Sequence, residues 1–109
     1  MASTQLKRGD TFLRWLVLPS AYEDGYFLDW DVACQLRTRR GKPIADLTAS
    51  WEDPAATTRV LRLFAQDTTA WPLGLQELDA QFTRQLDGFI LSTETVIVEI
   101  IRDVTQVTR

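Results

Sequence analysis

Apolar and polar side chains alternate with a period of two along much of this chain. Between positions 30 and 37, the apolar residues Trp30, Val32, Cys34 and Leu36 are separated mainly by charged or polar ones. The segments 46–51 and 77–82 repeat this alternation, and Val96, Val98 and Ile100 repeat it near the end. Because successive side chains of a strand point to opposite faces, the pattern predicts antiparallel strands with one face in a core and one in water. We therefore predict a small all-β domain.

Turn residues divide the chain into six predicted strands. The predicted strands cover the segments 11–18, 27–38, 44–51, 58–64, 75–84 and 89–102. Hairpin turns are predicted at Arg40-Gly41-Lys42-Pro43 and at Leu86-Asp87-Gly88, and Asp53-Pro54 starts a further turn. Residues 65–71 are predicted to form one short helical turn, because Asp67 or Thr68 can cap it and Pro72 stops it.

The last predicted strand contains a change of parity. Phe89 and Leu91 share one face, whereas Val96 and Val98 share the other. A bulge or bend between Ser92 and Thr95 would reconcile the two sets. With that bend, every strand has an inward apolar face, and the predicted core contains Trp30, Val32, Cys34, Leu36, Leu47, Leu61, Leu63, Leu78, Phe82, Val98 and Ile100.

Length and composition indicate one stable domain without catalytic machinery. The 109 residues suit a single domain, 1–109, that buries a sizeable core. Histidine is absent, which removes Ser-His-Asp and Cys-His triads and imidazole metal ligands. Cys34 is the single cysteine and is interpreted as a small core residue. We therefore predict that the protein is not an enzyme and binds no cofactor.

Charge and hydropathy narrow the expected partners. The formal net charge of −3 argues against a general nucleic-acid binder. The apolar run 12–18 is too short for a membrane span and contains Arg14, and the first eight residues lack the apolar core of a secretion signal. We expect synthesis in the cytoplasm and protein partners, with no small-molecule substrate, no nucleic acid and no membrane contact.

Asp29 and Asp31 are the acidic pair whose spacing most resembles a metal site. Lying two apart on one strand face, they could bind Ca²⁺ with Asp24 or a loop carbonyl, but this ion takes several more oxygen ligands. We interpret them as a solvated face and predict no metal site. Paired carboxylates also serve glycosidases, yet a small sandwich with short hairpins offers little cleft for a sugar.

A second apolar face is the main candidate for an interaction site. In the first predicted strand Leu13, Trp15 and Val17 lie opposite the other apolar residues, and Ile97 and Ile101 do so in the last. Either the loop that contains Tyr22, Tyr26 and Phe27 covers this face, or the face contacts another subunit. We predict an interface formed by Leu13, Trp15, Val17, Ile97 and Ile101, and by Arg39 and Arg40 at the tip of the basic hairpin. A charged hairpin that protects a sheet edge is the alternative interpretation of those arginines.

The order of motifs along the chain carries a resemblance to a known group of proteins. The motifs are Gly9-Asp10-Thr11-Phe12, the string from Arg37 through Gly41-Lys42-Pro43-Ile44-Ala45-Asp46-Leu47-Thr48, Asp53-Pro54-Ala55-Ala56, Asp67-Thr68-Thr69-Ala70-Trp71-Pro72-Leu73-Gly74, Asp87-Gly88 and Asp103-Val104-Thr105. In this order they resemble small tail-associated structural proteins of tailed bacteriophages and prophages. The chain is also similar to the N-terminal β-sandwich domain of baseplate upper proteins.

The resemblance implies an immunoglobulin-like antiparallel β-sandwich and a non-enzymatic role in a bacteriophage virion. The expected function is that of a tail or baseplate adaptor that mediates protein–protein assembly. The alternatives are a capsid decoration (cement) protein and a general immunoglobulin-like protein-binding module outside a virion. Under the first interpretation, the expected partners are other virion proteins and copies of this chain. The expected location is the virion, after synthesis in the host bacterial cytoplasm.

Overall fold

The structure is a computed structural model that describes residues 3–19, 21–52 and 58–102. The described residues form eight strands: β1 (Ser3–Lys7), β2 (Phe12–Val17), β3 (Trp30–Thr38), β4 (Pro43–Trp51), β5 (Val60–Ala65), β6 (Gly74–Arg84), β7 (Ile90–Ser92) and β8 (Val96–Ile101). The predicted all-β fold is confirmed. This part of the chain contains no helix long and apolar enough to cross a membrane. The turn predicted at Asp53-Pro54 lies outside the described residues.

The strands form a sheet that curls into a nearly closed sandwich. Its order is β1-β8-β6-β3-β4-β5-β2, and β7 also pairs with β6. The first half of β4 pairs with β3 and its second half pairs with β5, so this one strand joins the two layers. At the ends of the order, the Arg14 guanidinium of β2 donates to the Thr4 hydroxyl at 2.8 Å and to the Gln5 carbonyl at 2.7 Å. These bonds hold β2 beside β1.

Strand β1 lies outside the strands that the alternation predicted. It pairs with β8 in parallel, whereas the other strand pairs are antiparallel. Its sequence Ser-Thr-Gln-Leu-Lys has one large apolar residue, Leu6, which is buried. A single apolar residue cannot show a two-residue alternation, so the sequence pattern did not predict this strand. Segment β1 is a strand because its backbone pairs with that of β8.

The predicted bend in the last strand is confirmed. Strands β7 and β8 follow one another along the same edge of β6 and are separated by residues 93–95. At the break, the Thr93 N–H donates to the Ala80 carbonyl at 2.8 Å, and the Thr93 hydroxyl accepts from the Ala80 N–H at 2.9 Å. The side-chain hydroxyl replaces a ladder bond, so the chain changes parity and still keeps Leu91 and Val98 on the inner face.

Both predicted hairpin turns are present. At the β3–β4 turn, the Thr38 N–H donates to the Lys42 carbonyl at 2.9 Å, and Gly41 has a φ of +88° that favours glycine. Residues 65–71 were predicted to form a short helical turn, but they contain no helix; instead they form one non-helical turn, in which the Trp71 N–H donates to the Thr68 carbonyl at 3.1 Å. The Asp67 carboxylate accepts the Thr69 N–H at 3.0 Å, as expected of a capping side chain.

The core agrees with the predicted inward faces. All the predicted core residues are buried except Val32, which is half-buried. The alternation did not identify further core residues that lie in loops, at strand ends or in β1: Leu6, Phe12, Leu18, Phe27 and Trp71. Phe27 inserts between the layers and stacks on Phe82, with 4.4 Å between their ring centroids. The loop before β3 is therefore attached to the core through an aromatic side chain.

Candidate functional site

The predicted interface residues of β2 lie on the outer face of one edge strand. Trp15 is 53% exposed and Val17 is 70% exposed, whereas Leu13 is half-buried. The Trp15 indole N–H donates to the Glu52 carboxylate at 2.9 Å. Because Trp15 and Val17 are exposed, the loop that contains Tyr22 does not cover them, and its residue Phe27 is buried between the layers.

The other two predicted apolar residues lie on β8, and β1 separates them from β2. Ile97 and Ile101 are half-buried, and their partners across the parallel pair are Ser3 and Lys7 of β1. Arg14 of β2 bonds to the far side of β1. The structure therefore places the five apolar residues in two groups, with polar side chains of β1 between them.

The predicted arginines of the basic hairpin point into solvent. Arg39 and Arg40 are exposed at the β3–β4 turn. The Arg39 Nε lies 3.7 Å from the Glu77 carboxylate, and both side chains are accessible to water. Such a surface pair contributes little to stability, so it leaves Arg39 available for a partner.

The acidic residues weighed as metal ligands do not converge. Asp29 precedes β3 in a loop, the Asp31 carboxylate accepts from the Gln85 amide at 3.0 Å, and Asp24 lies 3.5 Å from the Arg59 guanidinium. Within residues 3–19, 21–52 and 58–102, no three His, Cys, Asp or Glu side chains are grouped so as to hold a metal ion.

Cys34 is buried in β3 and its thiol is held in the neutral form. Burial, with a smaller contribution from the charge of Asp79, raises the pKa of this thiol to about 12. Because the thiolate is the nucleophile in thiol chemistry, Cys34 is a structural residue at neutral pH.

We expect Cys34 of the native protein to resist labelling by a water-soluble disulfide reagent at neutral pH. The same reagent should label it rapidly in concentrated denaturant, where the thiol is exposed and its pKa returns to the ordinary range. Absorbance of the released thiolate measures both rates on one sample. Fast stoichiometric labelling of the native protein would contradict this description of the core.

An exposed apolar cluster at one end of the sandwich was not identified from the sequence. It consists of four large side chains from the loop before β3 and from the β6–β7 turn: Tyr26, Leu28, Leu86 and Phe89. Leu86 at the tip of the turn is 89% exposed. We call these residues the hairpin-end surface. Their only sequence signal is the unusual density of apolar residues around the turn at Asp87-Gly88.

Arg84 organises the hairpin-end surface. Its guanidinium lies 5.5 Å from the ring centroid of Trp30 and 5.1 Å from that of Phe89, and it forms two bonds with the Asp87 carboxylate at 2.9 and 2.7 Å. The bond from Arg84, followed by that from the Phe89 N–H, lowers the pKa of Asp87 to about 2. The pair therefore stays charged from neutral to moderately acidic pH, and the cation remains against both rings.

Backbone bonds join the two loops that form this surface. Within the β6–β7 turn, the Arg84 N–H donates to the Phe89 carbonyl at 2.8 Å, and Gly88 has a φ of +74°. The next residue, Gln85, donates its N–H to the Asp29 carbonyl at 3.0 Å, which connects the turn to the loop before β3. Tyr26 completes the contact, with its ring centroid 5.8 Å from that of Trp30.

Comparison with known proteins identifies a similar fold. No family model matches this chain, and no curated protein matches it. Among solved structures, the chain is similar to CopC from Methylosinus trichosporium OB3b, with a TM-score of 0.50 and 15% sequence identity. The match covers 96% of this chain and 91% of the CopC chain. At this identity, the comparison supports a shared β fold.

The bacteriophage structural role predicted from the sequence is wrong. A solved structure that this chain resembles is CopC, which is not a phage protein, and no family match supports a tail, baseplate or capsid role. The motifs behind that prediction are turns and strand starts, which recur in unrelated β-sandwiches because they satisfy the same backbone geometry. Two of them, at 53–56 and 103–105, also lie outside the described residues. Along nearly its whole length, then, this chain has a β fold similar to that of CopC.

Proposed function

We propose that this chain is a non-enzymatic, immunoglobulin-like protein-binding module that acts outside a virion and holds a partner protein at the hairpin-end surface. The observation that carries the proposal is the group of four exposed large apolar side chains on two joined loops, with the Arg84 guanidinium against the ring of Phe89. Aromatic residues and arginine dominate the binding energy of protein interfaces. Exposed apolar groups of this size on one part of a small domain favour contact with another protein.

The rigidity of this surface also favours binding. Two bonds to Asp87 hold Arg84 in place, and the bond from Gln85 to Asp29 joins the two loops. A surface that is ordered before binding loses less conformational freedom when its partner docks. The loops at the end of a β-sandwich are also common binding sites, because substitutions in them do not disturb the packing of the core.

The outer face of β2 is the second candidate surface, and it stays the predicted contact for another copy of this chain. Leu13, Trp15 and Val17 pair across the sheet with Phe64, Arg62 and Val60 of β5. The Arg62 guanidinium lies 4.9 Å from the centroid of the Phe64 ring. On this face, Trp15 donates its indole N–H to the Glu52 carboxylate.

A pair of charge substitutions distinguishes the two surfaces. We expect Phe89→Asp to weaken capture of the partner protein by about tenfold or more, because it places a charge at the centre of an apolar contact. Trp15→Glu should leave that capture unchanged and should abolish any self-association. The partner is recovered from the native cell with the tagged wild-type protein, purified, and titrated against each variant by biolayer interferometry.

Both variants should retain the wild-type circular dichroism spectrum and melting temperature, because both side chains are exposed. If Trp15→Glu loses partner binding and Phe89→Asp keeps it, the partner binds the outer face of β2 and the proposal is wrong. Binding that neither substitution weakens would contradict the proposal.

A further inference from the structure

The seam between the two layers is closed along part of its length and open beside β7. At the closed part, Arg14 of β2 bonds to Thr4 and Gln5 of β1, and β1 covers β8. Further along the same edge, β7 pairs with β6 on one side, and no strand among the described residues pairs with its other side. Strand β7 therefore continues the line of β8, and the place beside it that corresponds to β1 holds no strand of the described residues.

The backbone of β7 presents hydrogen-bonding groups along this open edge. Both residues that flank β7 bond to β6: just before β7, the Phe89 carbonyl accepts the Arg84 N–H at 2.8 Å, and just after it, the Thr93 N–H donates to the Ala80 carbonyl at 2.8 Å. Because backbone groups of an antiparallel strand alternate in direction, Leu91 also faces β6, whereas Ile90 and Ser92 direct their N–H and C=O groups away from it. Such an edge is a template for another strand.

A cavity of about 200 Å³ lies next to this edge, between β7 and the end of β2. Its walls are mainly apolar and include Leu16, Leu18, Phe27, Phe82 and Leu91, and its rim includes Ser92, Thr93 and Glu94. An apolar cavity of about 150 Å³ holds a benzene molecule. This cavity is therefore large enough for one large aliphatic or aromatic side chain.

The edge and the cavity fit the same occupant. In a strand added to β7, every second side chain shares the inner face of Leu91 and points between the layers, where the cavity lies. A free apolar molecule would fill the cavity but leave the backbone groups of Ile90 and Ser92 unpaired. An extended peptide satisfies both, since main-chain bonds provide affinity and the pocket selects a side chain.

We infer that the open edge of β7 and the adjacent cavity bind an extended segment of a partner protein, which adds a strand to β7 and inserts one large apolar side chain between the layers. The segment carries smaller or polar residues at the positions that face outward. This site is separate from the hairpin-end surface, and its occupation does not depend on contacts of Leu86 or Phe89.

The test uses random short peptides displayed on their own messenger RNA and selected on the purified full chain. We expect the enriched peptides to share one large apolar residue within an alternating pattern. Calorimetric titration of the best synthetic peptide then gives its affinity for each variant. In nuclear magnetic resonance spectra, the amides of Ile90 and Ser92 should gain protection from hydrogen exchange when that peptide is added.

Matched variants separate the edge from the cavity. Ser92→Pro removes the outward N–H and should weaken peptide binding by about tenfold or more, whereas Ser92→Ala keeps that N–H and should bind as the wild type does. Leu91→Trp fills the cavity from β7 and should have a similar effect to Ser92→Pro. Where Leu91→Trp lowers the melting temperature, Leu16→Phe fills the same cavity from β2.

Each remaining outcome has a definite meaning. Enriched peptides without an alternating apolar pattern, or affinities unchanged in Ser92→Pro and in the cavity-filling variants, would overturn the inference. A dimer of the free protein that Ser92→Pro dissociates would also overturn it, because the occupant would then be a second copy. Phe89→Asp should keep its peptide affinity, so failure of the hairpin-end surface is distinguishable from failure of this site.

Discussion

Replacing Phe82 by alanine is expected to lower the free energy of unfolding by about 3–5 kcal/mol. The Phe82 side chain is 1% exposed and lies at the centre of the sandwich. Its ring stacks on Phe27 with 4.4 Å between centroids and lies 6.0 Å from the ring of Trp51, so it contacts side chains of both layers. The substitution removes buried apolar surface and leaves a cavity that neighbouring rings cannot fill without leaving their own contacts.

Urea denaturation followed by tryptophan fluorescence measures this change. Because a domain of this size is stable by only about 5–15 kcal/mol, the variant should unfold at a much lower urea concentration. Ile90→Ala on the neighbouring strand is the matched control, since its exposed side chain should change the unfolding free energy by less than about 0.5 kcal/mol. Equal midpoints for the two variants would show that the inner and outer faces are assigned wrongly.

Replacing Thr68 by valine is expected to lower the free energy of unfolding by about 1–3 kcal/mol, although the two side chains have almost the same shape. The Thr68 side chain is 0% exposed. Its hydroxyl accepts the Gly9 N–H at 2.9 Å and donates to the Asp10 carbonyl at 2.6 Å, which joins the β1–β2 turn to the loop before β6. Valine would leave both backbone groups without a partner.

Thr69→Val is the control for this prediction. Thr69 is exposed, and its hydroxyl bonds to the nearby Asp67 carboxylate rather than to a distant segment. We expect its unfolding free energy to stay within about 0.5 kcal/mol of the wild type. Hydrogen exchange at Gly9 adds a local measurement, because its amide should lose protection in Thr68→Val alone. An unchanged exchange rate there would mean that Thr68 does not hold the β1–β2 turn.

The sequence predicted the surface on β2 but missed the hairpin-end surface, because the residues of the second surface are far apart along the chain. Leu13, Trp15 and Val17 were placed on an outer face by their spacing alone, and the structure has them there. The hairpin-end surface combines residues of two segments that are about sixty positions apart, and the bond between Gln85 and Asp29 brings these segments together. No local pattern reports such a contact.

The same limit applies to the seam beside β7. The sequence indicated a bend between Ser92 and Thr95, because two apolar sets of opposite parity had to share one core. That bend divides the edge of the sheet, and β1 then covers β8 and leaves β7 open. Which part of an edge is covered depends on a strand near the other end of the chain, so the cavity could not be predicted.

By itself, the sequence determined the all-β class, five strands with bounds close to the observed ones, both hairpin turns, the bend in the last strand and most of the core. These features depend on the direction of neighbouring side chains and on local turn geometry, which short stretches of sequence specify. Only the tertiary structure decided the parallel β1–β8 pair, the change of partners along β4, the burial of Phe27, and both candidate binding sites. Each of these depends on which distant segments meet, and a hydrophobic period records the face a residue occupies but not the partner it finds there.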